Sequence, residues 1–220
     1  MLAAVMTQSI GKMERATVPV PVFLFAALTL VFLLNDIGFI WATNAAQWLG
    51  VDYGTKVLVI ALVLAHSDAR RALLRGAGWP RPIWLALVGT IAVTAISIAG
   101  LAWIDEQGYD AATALQVFPR IDQTWLVVFD LTVGLALTAV AEELVFRRLY
   151  LDTFGARLSP LPLYLLSAAV FAAVHWSIGL GTVAGTFVVG LMLLWLTRRT
   201  GSVLPAIGAH YVINLVLFWP

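Results

Sequence analysis

Thr138-Ala-Val-Ala-Glu142-Glu143-Leu-Val-Phe-Arg147-Arg148 places two adjacent carboxylates inside a run of apolar residues long enough to cross a bilayer. A charge at that depth costs about 3 kcal/mol on insertion scales and more in simulations, so it marks a functional site by default. Neighbouring residues on a helix lie about 100° apart, so the two acids cannot aim at one point. Glu143 and Arg147 stand four apart with the acid first, the better order for an ion pair. Glu142 has no such local counter-ion. It falls instead on the stripe Asp130, Gly134, Thr138, Glu142, spaced by four on one small, polar face. The reading is a pinned Glu143 and a Glu142 turned into the bundle, free to take and return a proton. A blander alternative has both acids snorkelling toward a membrane interface beside Arg147 and Arg148.

The surrounding chain supports burial in lipid. Its 220 residues are 61% hydrophobic and 11% charged, with mean hydropathy +0.94. Soluble domains carry about 25% charged residues, so the expected class is all-α, a polytopic transmembrane helical bundle. A formal net charge of +1 lacks the basic footprint of a nucleic-acid binder. Without cysteine there is no disulfide framework, Cys-ligated zinc or thiol nucleophile.

Apolar runs give about seven spans: Val18 to Trp41, Thr55 to His66, Ile83 to Ile104, Trp125 to Tyr150, Leu161 to Trp176, Gly181 to Thr197 and Val203 to Trp219. The first is read as an uncleaved span, longer than a signal-peptide core. The second is short for a hydrocarbon layer of about 30 Å. Prolines 19, 21, 80, 82, 160, 162 and 205 mark helix starts, where a missing N–H costs nothing. With a cytoplasmic N-terminus and alternating spans, only Lys56 and Arg120 of the 13 basic residues fall outside. Positive-inside asymmetry of that size predicts N-in and C-out. Residues 1–17 then form a cytoplasmic segment, 18–124 accessory helices and loops with nothing diagnostic, and 125–220 the core that carries the chemistry.

Three more polar residues fall inside late spans. His175 follows Phe171 by one turn on a helix of small residues. His210 and Asn214 are four apart and share a face, so an imidazole N–H and an amide N–H₂ can aim together at an oxyanion. Each fits a helix-packing role equally well when taken alone. His66, beside Ser67, Asp68 and Arg70, reads as interfacial. The chain has no HExxH for a zincin-type metalloprotease and no GxSxG with a matching histidine for a serine nucleophile.

Glu142-Glu143-x-x-x-Arg147, then Phe171-x-x-x-His175, then His210-x-x-x-Asn214, resembles the CPBP family over about residues 130 to 218. That family takes in the type II CAAX prenyl proteases and the Abi-type bacterial intramembrane proteases. Gly201-Ser202, ahead of the last motif, is similar to its small-residue loop. The resemblance implies an intramembrane endopeptidase in which Glu142 activates water, His175 helps hold it, and His210 with Asn214 stabilises the oxyanion. Glu143, Arg147 and Phe171 would orient these groups. It implies no cofactor; in a zinc-dependent version Glu142, His175 and His210 would be the ligands. The expected partners are membrane lipid and a membrane-associated protein or peptide substrate, with no nucleic acid, in the bacterial inner (cytoplasmic) membrane. A non-proteolytic immunity or scaffold protein retaining the fold is the alternative; against a transporter, no inverted repeat is visible. At 1.5 Å per residue, His175 stands about 21 Å from the cytoplasmic end of its span and His210 about 10 Å. Their convergence requires tilt or a fifth span that starts deeper.

Overall fold

A computed structural model of the chain describes residues 20–219 except 77, 79, 81 and 117. The segment 1–17 with Lys12 and Arg15, together with Val18, Pro19 and Arg81, lies outside the described residues, as does the side chain of Arg75. Every regular element among the described residues is helical: α1 (Val22–Trp41), α2 (Ala45–Ala65), α3 (Ser67–Gly76), α4 (Ile83–Glu106), α5 (Tyr109–Thr113), α6 (Thr124–Phe154), α7 (Pro160–Ala173), α8 (Leu180–Thr200) and α9 (Leu204–Leu217). Five of these, α1, α2, α4, α6 and α8, are long and apolar enough to cross a membrane. The chain is an integral membrane protein.

The boundaries differ from the sequence reading in three places. The second helix has 21 residues, Ala45–Ala65, and not the short stretch from Thr55. Gln47, Asp52 and Lys56 dilute its apolar pattern, but Asp52 and Lys56 pair with each other and are buried. Lys56 is therefore no outer-loop charge. The helices α7 and α9 have only 14 residues each, about 21 Å. The α7 helix stops at Ala173, so His175 lies in the following turn and not on a span.

Four proline starts hold: Pro21 and Pro82 precede α1 and α4, and Pro160 and Pro205 sit in the first turns of α7 and α9. A left-handed residue at φ +67°, Gly201, closes α8, where a side chain would be strained. Beyond it, Ser202 and Val203 are each 1% exposed. The last helix thus begins inside the protein, and His210 and His175 do converge, each with Nε2 within 4 Å of one Glu142 oxygen.

The 31-residue α6 is the central post. It touches α1, α2, α3, α7, α8 and α9, while α4 packs outside against α8 and α9. Two wide π turns, Asp130–Gly134 and Leu144–Leu149, interrupt it. Such turns displace the regular bonding ladder and recur at functional sites. Side chains meet carbonyls around them: the Thr138 hydroxyl donates to Gly134 O at 3.1 Å, and Ser167 of α7 donates to Phe146 O at 3.3 Å. The Tyr150 hydroxyl returns the link, donating to Leu163 O at 2.7 Å. Helices α7 and α8 approach closely at Gly190, where a Cβ would stand 3.1 Å from Ala168 Cα, the small-residue contact that membrane helices favour.

Candidate active site

Glu142 and Glu143 end the regular stretch of α6 just before its second π turn. Glu143 is fully buried, and its Oε2 lies 3.2 Å from Arg147 Nε. Its other oxygen, Oε1, accepts from His210 Nδ1 at 2.9 Å. The sequence reading foresaw the first partner and not the second. Arg147 is also fully buried, with its guanidinium 4.0 Å from the centre of the Phe171 ring, a cation–π contact strengthened by desolvation. Arg148, by contrast, pairs with Asp152 through Nε–Oδ2 at 2.8 Å. The acids therefore do not snorkel toward the two arginines: one is bound to Arg147 deep in the protein, and the other leaves the pair.

Phe171 is the hub that relates the histidines. Its ring meets His175 at 4.9 Å and His210 at 5.9 Å between centroids, edge to face in both cases. His175 Nδ1 lies 2.8 Å from the Phe171 carbonyl. A carbonyl only accepts, so Nδ1 carries the proton. An ionised Glu143 imposes the same choice on His210. Both rings then present Nε2 to Glu142 Oε2, His175 at 3.9 Å and His210 at 3.8 Å. Those separations exceed direct hydrogen bonding. Among the described residues, Glu142 Oε2 is a buried oxygen with no hydrogen-bond partner.

The structure brings together Glu142, Glu143, Arg147, Phe171, His175 and His210. Asn214 sits one turn beyond His210 on α9 and is half-buried; among the described residues no hydrogen bond ties its amide to the cluster. His66 follows α2 and accepts from Ala69 N at 3.5 Å, away from the cluster. Among the described residues no group of three or more His, Cys, Asp or Glu side chains is arranged to hold a metal ion.

Helices α1 and α2 contribute buried polar groups that no motif announced. Asp36, on α1, accepts from Ser177 N at 3.1 Å and Ser177 Oγ at 2.8 Å. Lys56 of α2, bound to Asp52, lies within electrostatic reach of Glu142, Asp130 and Asp36. The Tyr53 hydroxyl donates to Asp130 Oδ1 at 2.7 Å, above Gly134, where a Cβ would meet that hydroxyl at 2.9 Å. The signal for these residues was present in the sequence. Asp36 is an acid inside an apolar run, which is the criterion that singled out Glu142, and Asp52 and Lys56 have ion-pair spacing.

Residues 124–216, from the start of α6 almost to the end of α9, match the family model described as type II CAAX prenyl endopeptidase Rce1-like. No curated protein and no solved structure matches the chain. The matched stretch contains Glu142, Glu143, Arg147, Phe171, His175, His210 and Asn214 and excludes α1 and α2. Over the region from α6 to α9 the chain is thus similar to the Rce1-like family, and the match supports a CAAX-protease-like membrane protease fold.

Proposed function

We propose that the protein is an intramembrane endopeptidase that uses Glu142 to activate water against a peptide bond of a membrane-associated or hydrophobic protein substrate. The observation that carries this reading is the convergence of two imidazole Nε2 atoms on one buried carboxylate oxygen at 3.8 and 3.9 Å. Polar contacts across such a gap suit a bridging water. A buried carboxylate oxygen without a bond costs about 1–3 kcal/mol, which selects for a use.

The steps balance with protein groups alone. Water between Glu142 and the histidines gives a proton to Glu142, and its oxygen bonds to the substrate carbonyl carbon. Glu142 then passes that proton to the leaving nitrogen as the C–N bond breaks. His210, with Nδ1–H committed to Glu143, has an Nε2–H for the oxyanion only as the imidazolium. Asn214 is the further candidate donor. His175, its ring set by the Phe171 carbonyl, accepts from the water. No metal enters this scheme.

The charge and tryptophan distribution at the two ends of the bundle supports an orientation. Arg70, Arg71, Arg148, Arg157, Arg198 and Arg199 lie on α3 and at the C-terminal ends of α6 and α8, where a positive-inside protein faces the cytoplasm. Exposed Trp41, Trp103, Trp125 and Trp219 lie at or just beyond helix ends on the other side, as an interfacial belt requires. On this reading α7 and α9 complete seven spans, N-in and C-out, in a bacterial inner membrane. Glu142 then lies about 18 Å from the cytoplasmic end of α6.

Purified protein in detergent, incubated with membrane-anchored fluorogenic peptides, tests the activity. Glu142→Gln should lower cleavage by about 10³-fold or more while the protein inserts and purifies normally. A variant that cleaves at the wild-type rate, or that fully complements a deletion strain, would favour the non-proteolytic scaffold.

A further inference from the structure

We propose that Asp36 is a positioning residue for His175, acting through Ser177; the proposal rests on the protease reading for its purpose but not for its test. The turn that carries His175 lacks the support of a helix. The α7 helix ends at Ala173, and His175 N bonds to Ala172 O at 3.0 Å, three residues back. Beyond it a single local backbone bond, Ile178 N to His175 O at 3.2 Å, spans the path to Gly179, where φ is +146°.

Distant parts of the chain hold this turn. Asp36, 4% exposed on α1, takes both donors of Ser177 on a single oxygen, Oδ2. The Ser177 carbonyl accepts from Leu115 N at 2.8 Å and Gln116 N at 3.2 Å. The neighbouring Trp176 Nε1 donates to Leu33 O, also on α1, at 3.4 Å. Ser177 itself is fully buried, so without Asp36 its N–H and hydroxyl would lose their partners at about 1–3 kcal/mol each. The turn would move to satisfy them. Asp36 also lies within electrostatic reach of His175 and Glu142. It belongs to α1, outside the matched region 124–216. A helix that looks accessory thus sets the position of a site residue.

The chain has three histidines, so ¹⁵N-histidine-labelled protein in micelles reports each ring separately. In the wild type His175 should show the Nδ1-protonated tautomer. Asp36→Leu, close in size but unable to accept, should move His175 toward averaged tautomers and leave His210, held by Glu143, unchanged. Asp36→Asn keeps a carbonyl oxygen and should restore the wild-type pattern. With a cleavable peptide, Asp36→Leu should lower kcat by about 10- to 100-fold, as expected for a misplacement near 1 Å, with KM little changed. If Asp36→Leu fails to fold, Asp36→Ser, too short to reach Ser177, takes its place under the same criteria. A folded variant with unchanged His175 resonances overturns the proposal, and so does an equal shift at His175 and His210, which means general loosening. Because the resonances need no substrate, absence of proteolysis in the wild type would sink the enzymatic reading without touching this result.

Discussion

His210 donates its Nδ1–H to Glu143 Oε1 at 2.9 Å, so the only ring nitrogen it turns toward Glu142 is Nε2. Glu143 is therefore shared between Arg147, which holds its charge, and His210, whose tautomer it sets. The second glutamate of the pair thus sets how the His210 ring faces Glu142.

This dual role gives the first prediction. Glu143→Gln should lower cleavage by about 10- to 100-fold, the usual range for lost support of a catalytic group. It should also destabilise the protein by about 3–5 kcal/mol, because Arg147 is left as an uncompensated buried charge. The double variant Glu143→Gln/Arg147→Met should recover most of the stability and none of the activity. Thermal unfolding in detergent, run beside the cleavage assay, separates the two effects. Recovery of activity in the double variant would reduce Glu143 to a partner for Arg147 alone.

Metal dependence is open to direct measurement. Protein dialysed against a strong chelator should keep its full rate, and elemental analysis should find less than stoichiometric zinc. If activity disappears on dialysis and returns with zinc, Glu142, His175 and His210 become ligands and the water is activated by the ion.

Lys56 and Asp52 supply a prediction about stability. Both are buried in α2, and such a pair is costly to break and cheap to remove whole. Lys56→Met should destabilise by about 3–5 kcal/mol through the unpaired Asp52, whereas Asp52→Asn/Lys56→Met should be close to neutral. If the double variant is stable but loses cleavage, the Lys56 charge also serves Glu142. If single and double variants lose stability equally, the pair is not coupled.

Much of this arrangement was legible in the chain. The excess of apolar residues over charges sets a membrane-embedded helical bundle, because no soluble fold hides so little charge behind so much hydrocarbon. Proline positions marked four helix starts, since a residue without an N–H is tolerated in a first turn and rarely beyond it. The Glu143–Arg147 pair followed from helical spacing, which a single helix enforces by itself. Glu142 was conspicuous because a charge inside an apolar run needs a reason.

The remainder required tertiary structure. His175 looked like a residue on a span; it lies in a turn, because α7 stops two residues earlier. That α9 begins at the buried Ser202 and Val203 is likewise something hydropathy does not report. Lys56 lowers the apolar score of its helix, and only the neighbouring helices show that it is buried. The two contacts that shape the site most, His210 to Glu143 and Ser177 to Asp36, join residues 67 and 141 positions apart. Spacing rules reach about one helical turn, and over such separations the partners are chosen by where the helices cross and where the turns are buried. The sequence by itself determined which residues are costly to bury. The fold decided which of them meet.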